Sequence, residues 1–183
     1  MDIYVDGANS TPNNDTKSKR AKLRKKKGLV LGGSGFAIVT DDSVVMKGFN
    51  CSTSSTLMET VALAAAIRMA KPGDTVYTDQ MDLVNRLSEY GDINTMSRSA
   101  AKNRKKRRNS VNVALYIARA QVNRALKQAG GVNIEYYSSS EAKKQDMGRP
   151  GRLVDRMAGV AAGVQALTKN VAAAIGDREV IVR

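Results

Sequence analysis

The sequence predicts an α/β protein with a mixed sheet flanked by helices, and two observations support this class. Three short segments with strand character come first, and helices and strands then alternate along the rest of the chain. An initial hairpin followed by such alternation is typical of a mixed sheet with helices packed on it. The chain has 183 residues, of which 42% are hydrophobic, which is enough for one domain with a core, and we find no repeat or second domain.

The strands are predicted from short apolar or alternating runs that end at turn residues. The first runs from Asp2 to Asp6, because Ile3 and Val5 alternate with Tyr4. Asp41-Asp42 forms the turn of the hairpin. The other predicted strands are Phe36 to Val39, Ser43 to Phe49, Thr75 to Asp79, Val132 to Tyr137 and a last short strand at Val180 to Val182.

A glycine-rich stretch, Gly32-Gly33-Ser34-Gly35, comes directly before the hairpin. It lacks the lysine and hydroxyl residue of a phosphate-binding loop, and it leads into a strand instead of a helix whose N-terminus could hold phosphate. The stretch therefore predicts hairpin geometry.

The first helix is predicted from Leu57 to Ala70, a segment rich in alanine. The polar run from Ser52 to Thr56 can cap its N-terminus, and Lys71-Pro72-Gly73 ends it. The other predicted helices are Met81 to Leu87, Val111 to Gln128 and a long alanine-rich helix from Leu153 to Ile175, which follows a polar loop from Ser138 to Gly151.

Positive charge is concentrated in two tracts that contain no acidic residue. Lys17 to Lys27 holds eight of the 30 lysines and arginines, and Lys102 to Arg108 holds six more. The net charge is +13, so the rest of the chain is close to neutral. Charge segregated in this way predicts a polyanionic partner such as nucleic acid. The alternative is that the tracts are solvated tails or a nuclear-import signal.

The absence of histidine excludes several kinds of chemistry. Without it there is no Ser-His or Cys-His nucleophile, no histidine general base and no zinc site of cysteine and histidine. The single cysteine, Cys51, allows no internal disulfide and suits a reducing compartment. No signal-peptide pattern or uncharged spanning run is present, so we expect a soluble, intracellular, cytoplasmic protein without membrane partners.

Four acidic residues are candidates for a shared site. Asp6 and Asp79 each end a predicted strand, and the C-terminal ends of neighbouring parallel strands open on a common crevice. Glu59 is predicted in the first turn of a helix, and Asp155 near the start of another. Carboxylates brought together repel unless a cation neutralises them, and oxygen ligands suit Mg²⁺ or Mn²⁺. Alternatively, each acid alone serves as a turn, cap or solvated residue.

The motifs around these acids resemble those of the type 1 ribonucleases H, in the same order and along nearly the whole chain. They are Tyr4-Val5-Asp6-Gly7, Leu57-Met58-Glu59 followed by Ala64-Ala65-Ala66, Tyr77-Thr78-Asp79, and Leu153-Val154-Asp155-Arg156-Met157-Ala158. The resemblance implies a ribonuclease H-like fold, with a five-stranded mixed sheet in which an antiparallel hairpin joins parallel strands flanked by helices. The single domain would span residues 1–183, with a basic insertion near 15–28 and a basic protrusion near 98–110.

The function that the resemblance implies is hydrolysis of the RNA strand of RNA–DNA hybrids, leaving 5′-phosphate and 3′-hydroxyl ends. Asp6, Glu59, Asp79 and Asp155 would be the catalytic residues and would bind two Mg²⁺ ions, for which Mn²⁺ can substitute. The implied contacts with nucleic acid are Gly7, Ser55, Thr56, Lys102, Arg104, Lys105, Lys106, Arg107 and Arg108.

The sequence departs from this family at three places. Ser55 and Thr56 stand where many members have a pair of asparagines before the catalytic glutamate. The histidine that many members carry in the loop before the last helix is missing, and Lys143 or Lys144 could substitute only in part. The basic tract from Lys17 to Lys27 has no standard counterpart in the family.

Other nucleases with similar acids fit less well. Proofreading-type exonucleases carry a second acid two residues after the first aspartate, where this chain has Ala8. Junction resolvases place their glutamate at a strand end, whereas Glu59 lies in a predicted helix. A structure-selective DNA nuclease and a catalytically weak nucleic-acid-binding protein on the same fold remain alternatives.

Overall fold

The computed structural model describes residues 1–9, 33–51, 53–93 and 110–183, and at residues 110–112 it describes the backbone alone. Both basic tracts, Lys17 to Lys27 and Lys102 to Arg108, lie outside these residues. Within them the strands are β1 (Asp2–Asn9), β2 (Ser34–Val39), β3 (Ser43–Phe49), β4 (Thr75–Thr78), β5 (Asn133–Tyr136) and β6 (Glu179–Val182). The helices are α1 (Ser55–Met69), α2 (Met81–Tyr90), α3 (Ser110–Ala129), α4 (Ser139–Ala142), α5 (Pro150–Ala161) and α6 (Lys169–Ile175).

The strands form one mixed sheet in the order β5-β4-β1-β2-β3-β6. Strands β1, β2 and β3 are antiparallel neighbours, whereas β4 pairs with β1, β5 with β4 and β6 with β3 in parallel. The predicted α/β class with a hairpin and parallel strands is therefore confirmed. The sheet has six strands instead of five, because the short C-terminal strand pairs with β3 along Ser43 to Met46.

The prediction of one long helix from Leu153 to Ile175 is wrong. Helix α5 begins earlier, at Pro150, and ends at Ala161. The chain then turns at Gly163, whose φ of 70° lies in the left-handed region that glycine adopts without strain. Helix α6 begins separately, where the Thr168 hydroxyl accepts a hydrogen bond from the Val171 amide. The predicted polar loop also contains a short helix, α4.

The core lies on both faces of the sheet. On one face, Ile3 and Val5 of β1 pack with Leu63 and Ile67 of α1 and with Val122 of α3. The second cluster, on β2, β3, α5 and α6, includes Val39, Val44, Leu153, Met157 and Val171. All of these side chains are buried, and the two layers fix helices α1 and α5 relative to β1.

The glycines before and within the hairpin let α5 approach the sheet closely. A Cβ added at Gly35 would lie 2.6 Å from the carbonyl carbon of Ala161, and one at Gly48 would lie 2.5 Å from its oxygen. Both neighbours are backbone atoms, so no side-chain movement could relieve these contacts. The glycine-rich stretch therefore serves helix-to-sheet packing, and Ser34 and Gly35 lie inside strand β2.

None of the helices in the described part of the chain combines the length and the hydrophobicity that crossing a bilayer requires.

Candidate metal centre

Two parallel neighbours in the sheet deliver two of the predicted acids. Asp6 lies in β1, and Asp79 follows directly after the last residue of β4. The two strands are in register at Tyr4 and Tyr77, whose rings stack with centroids 4.7 Å apart. Because both acids come two residues after this pair, they lie side by side at the same edge of the sheet.

Glu59 comes from helix α1. The helix begins at Ser55, two residues before the predicted start, so Glu59 lies two residues further in than expected, in the second turn instead of the first. The hydroxyl of the N-cap residue Ser54 accepts a hydrogen bond from the Leu57 amide at 3.1 Å, which fixes this start. The same end of the helix packs on β1, where a Cβ added at Gly7 would lie 2.2 Å from the Glu59 backbone nitrogen.

Three of the four predicted acids meet in space. Asp6, Glu59 and Asp79 each place one carboxylate oxygen within 4.8 Å of the others. Asp6 is buried, with 8% of its surface exposed, and Glu59 and Asp79 are half-buried. The sheet edge and the helix therefore bring acids from three separate segments to one point.

Asp155 lies beside this group and is not one of its three mutually close members. Its carboxylate pairs with the Arg152 guanidinium of the preceding turn of α5, with Nη1 and Oδ2 3.2 Å apart. It is still near enough to act on the group, since its charge is one of the causes that raise the pKa of Asp6, after burial and the charge of Asp79.

Burial dominates the electrostatics of the three acids. It raises the pKa of Asp6 well above its usual value, the Asp79 charge adds to this, and the Gly7 amide that donates to Asp6 Oδ1 at 2.7 Å partly opposes it. Burial and the Asp79 charge raise the pKa of Glu59 to about 7. Burial also raises the pKa of Asp79, and the nearby Lys143 charge partly opposes that rise. Such shifts are typical of carboxyl groups that are clustered and buried.

No protein-family model matches the sequence, and no curated protein is detectably similar to it. Among solved structures, the chain matches the prototype foamy virus protease-reverse transcriptase with a TM-score of 0.51 and 11% identity, over 91% of this chain and 21% of that chain. It also matches a foamy viral protease-reverse transcriptase in complex with an RNA/DNA hybrid, with a TM-score of 0.54 and 11% identity, over 88% and 20% of the two chains. The chain has a ribonuclease H-like fold. It spans about a fifth of the length of these foamy virus proteins.

A third match is ribonuclease H1 from the archaeon Halobacterium salinarum NRC-1, with 14% identity and a TM-score of 0.48 over 87% of this chain and 95% of that chain. On the ribonuclease H-like fold of this chain, the three acids lie where the parallel pairing of β1 with β4 ends, although β1 itself continues beside β2 to Asn9. Open α/β sheets bind ligands at this end of their parallel strands.

The residues present fit a divalent cation. All the close groups are carboxylates, which are the ligands that Mg²⁺ and Mn²⁺ prefer. Asp79 Oδ1 is buried and has no hydrogen-bond partner in the described part of the chain, which is costly unless a ligand satisfies it. Asp6, Glu59 and Asp79 could hold the ion, and Asp155 could join them by leaving Arg152.

The pKa of Glu59 predicts how the metal-free protein responds to pH. Glu59 ionises near 4.5 in the unfolded chain and near 7 in the folded one, so the folded state holds an extra proton between these values. Its contribution to stability is present below pH 4.5 and is lost as the pH rises through 7, by an amount on the order of 3 kcal/mol. Urea unfolding with a chelator at a series of pH values measures this loss.

The control for this prediction is Glu59→Gln, which should flatten the decline because glutamine does not titrate. Adding Mg²⁺ at neutral pH should restore stability to the wild type, since an ion that binds only the folded state stabilises it. A metal-free wild type whose stability rises between pH 4.5 and 7, with no difference in Glu59→Gln, would contradict the assignment.

The residues predicted to contact nucleic acid differ in how exposed they are. Ser55 and Thr56 are exposed in the first turn of α1, as a nucleic-acid contact requires. Gly7 is buried under α1, so packing is its evident role, and its contact with nucleic acid stays a prediction. The predicted basic contacts lie outside the described residues; they are Lys102, Arg104, Lys105, Lys106, Arg107 and Arg108.

Three residues of the site were not predicted from the sequence. The Gln80 amide donates to Oε2 of Glu59. Arg152 pairs with Asp155. The Tyr137 hydroxyl donates to the Val5 carbonyl at 3.2 Å, and burial, followed by the charge of Asp6, raises its pKa. The available signal was position in the sequence, since Gln80 adjoins Asp79 and Tyr137 is the last residue of a predicted strand.

Proposed function

We propose that this protein is a metal-dependent nuclease that hydrolyses the RNA strand of RNA–DNA hybrids and leaves 5′-phosphate and 3′-hydroxyl ends. The observation that carries the proposal is the convergence of Asp6, Glu59 and Asp79 within 4.8 Å on a ribonuclease H-like fold. The oxygen-only donor set and the absence of histidine favour hydrolysis that depends on bound metal over hydrolysis by a side-chain nucleophile.

Each acid has a part in this reaction. Two bound divalent ions would supply activation of a water molecule and stabilisation of the oxygen that leaves phosphorus. Asp6 inside β1 and Asp79 directly after β4 would hold the ions, and Glu59 would contribute its carboxylate from α1. Because Asp6 is buried and Glu59 and Asp79 are half-buried, they would bind a cation in a medium that screens charge less than water does.

Asp155 is the fourth ligand in this proposal. Its carboxylate pairs with Arg152, and only 20% of its side chain is exposed. A bound cation would compete with Arg152 for this carboxylate. Asp155 would therefore have to leave Arg152 to hold an ion, and the guanidinium offsets its charge in the pair that the structure shows.

The proposed substrate class rests on charge and on the fold. A net charge of +13 suits a nucleic-acid duplex, whose phosphates attract concentrated lysine and arginine. One of the solved structures with the same fold is a foamy viral protease-reverse transcriptase in complex with an RNA/DNA hybrid. These facts support the hybrid as the duplex that lies across the metal centre, with the tract from Lys102 to Arg108 as one contact.

Substrate choice tests the proposal directly. Matched RNA–DNA hybrid, duplex RNA, duplex DNA and a four-way DNA junction are incubated with the protein and Mg²⁺ or Mn²⁺. We expect cleavage of the hybrid alone, in its RNA strand. Cleavage of the junction in preference to the hybrid would identify a resolvase-like nuclease, and binding of hybrid without any cleavage would identify a binding protein.

Replacing the six basic residues of Lys102 to Arg108 by glutamine should weaken hybrid binding and reduce its salt dependence. Removing one lysine or arginine from a phosphate lowers the slope of log K against log salt by roughly 0.9 for duplex DNA. Fluorescence anisotropy at several salt concentrations measures the slope. Six substitutions outside the tracts, at the exposed Lys71, Arg124, Lys127, Lys144, Lys169 and Arg183, control for net charge. Equal slopes for the wild type and the tract variant would exclude the tract from the interface.

A further inference from the structure

Gln80 connects the segment that carries Asp79 with the helix that carries Glu59. It follows Asp79 directly and is the N-cap residue of α2, but its side chain makes no capping hydrogen bond with that helix. The side chain instead crosses to helix α1. The amide nitrogen Nε2 donates to Oε2 of Glu59 and, at 2.9 Å, to the backbone carbonyl of Thr56.

Both donors of this amide are engaged by oxygen acceptors, which fixes its orientation. An amide turned the other way would place its own oxygen against two oxygens, so the orientation with nitrogen towards Glu59 and Thr56 is the favourable one. The Thr56 carbonyl belongs to the first turn of α1, one turn before Glu59. Gln80 therefore ties one carboxylate oxygen of Glu59 to the backbone of the same helix.

The restraint matters because Glu59 is the most flexible of the three close acids. A glutamate side chain has one more rotatable bond than an aspartate, and it faces two like charges from which it can turn away towards solvent. Ordering such a side chain costs free energy in lost rotamer freedom. A donor that holds Oε2 offsets part of that cost before the metal binds.

We infer that Gln80 is the positioning residue for Glu59, holding its carboxylate in the metal-binding conformation through the Nε2 hydrogen bond. The inference rests on the proposed function, because it takes Glu59 to be a metal ligand. Gln80 itself binds neither metal nor substrate. Its contribution is a higher metal affinity and a faster hydrolytic step, with hybrid binding left unchanged.

The test is a double-mutant cycle on metal affinity. Gln80→Met keeps the length of the side chain and removes both donors, and Glu59→Gln removes the carboxylate that they hold. We expect Gln80→Met to weaken Mn²⁺ binding, measured by calorimetry, about tenfold in the wild-type background and less than twofold in the Glu59→Gln background. Gln128→Met, a matched change at an exposed glutamine of α3, should have no effect.

Cleavage assays add a second readout. Gln80→Met should lower kcat and raise the Mg²⁺ concentration needed for half-maximal rate, while KM for the hybrid stays the same. Gln80→Asn keeps the amide but is one methylene shorter, so it should behave like Gln80→Met. An equal loss of Mn²⁺ affinity in both backgrounds, or no loss in either, would overturn the positioning role.

Failure of this inference and failure of the proposed function give different results. Coupling between Gln80 and Glu59 in Mn²⁺ binding, without cleavage of any nucleic acid, would overturn the nuclease and keep the positioning role. Cleavage of hybrid without coupling would overturn the positioning role alone. A wild type that binds no Mn²⁺ would overturn both.

Discussion

Replacing Asp79 with asparagine should abolish Mg²⁺-dependent cleavage of RNA–DNA hybrid and leave hybrid binding nearly unchanged. Asparagine has the same shape as aspartate but no charge, and the buried Asp79 Oδ1 would lose its ability to bind a cation strongly. Metal stabilisation of the transition state is worth several kcal/mol, and each 1.36 kcal/mol is a factor of ten in rate, so we expect kcat to fall roughly 10³-fold or more.

The same substitution should stabilise the metal-free protein at neutral pH. The Asp79 charge is one of the causes that raise the pKa of Asp6 and of Glu59, second in each case to burial. Removing it relieves the repulsion within the group, so Asp79→Asn should unfold at a higher urea concentration than the wild type when a chelator is present. With Mg²⁺ added, the difference should shrink or reverse, because the variant has lost a ligand.

The matched control is Asp177→Asn, an exposed aspartate in the turn before β6. It should change neither the rate of cleavage nor the response of stability to Mg²⁺. Normal cleavage by Asp79→Asn, measured with gel-resolved products at saturating hybrid, would show that the acidic group is not the catalytic centre.

The parts of the site that were predictable from sequence are those determined by backbone arrangement. Asp6 and Asp79 were expected to meet because each ends a predicted strand. The parallel pairing of β1 with β4 does bring them together, but β1 continues past Asp6 to Asn9. Alternation at Ile3 and Val5 and the Pro72-Gly73 stop likewise placed β1 and α1 to within a few residues. The positions of these strands and this helix are therefore readable from local sequence pattern.

The parts that were not predictable depend on side-chain direction. The Gln80–Glu59 hydrogen bond joins residues 21 positions apart, and no periodicity indicates it. Asp155 was placed with the other acids, but Arg152, one turn earlier on the same helix, is near enough to pair with it first. The break after Ala161 was missed because alanine composition favours helix, whereas Gly163 ends it.

The second large effect on stability and cleavage is expected from a substitution at Gly7. A Cβ at this position would lie 2.2 Å from the backbone nitrogen of Glu59 and 2.4 Å from the carbonyl carbon of Met58. Ordinary contacts of a Cβ begin near 3.4 Å, so helix α1 would have to retreat by roughly 1 Å. Gly7 is not among the glycines with positive φ, so alanine can adopt its backbone conformation and the effect arises from contact alone.

We therefore expect Gly7→Ala to lower the free energy of unfolding by about 1–3 kcal/mol, the usual cost of overpacking a close contact. The rate of cleavage should fall by more than the loss of folded protein explains. A displacement of about 1 Å at a catalytic group can reduce the rate on the order of 10²-fold. Urea unfolding and single-turnover cleavage, each with saturating Mg²⁺, separate the two effects.

The control is Gly148→Ala, since no atom of the described residues lies within 4 Å of a Cβ at Gly148 and its φ is not positive. Equal activity of Gly7→Ala and Gly148→Ala would mean that the spacing of Asp6 and Glu59 does not limit catalysis. The expected difference follows from how that spacing is determined. Asp6 belongs to a strand and Glu59 to a helix, and the backbones of the two elements touch at Gly7. The lack of a side chain at Gly7 therefore allows the close approach of the Asp6 and Glu59 carboxylates.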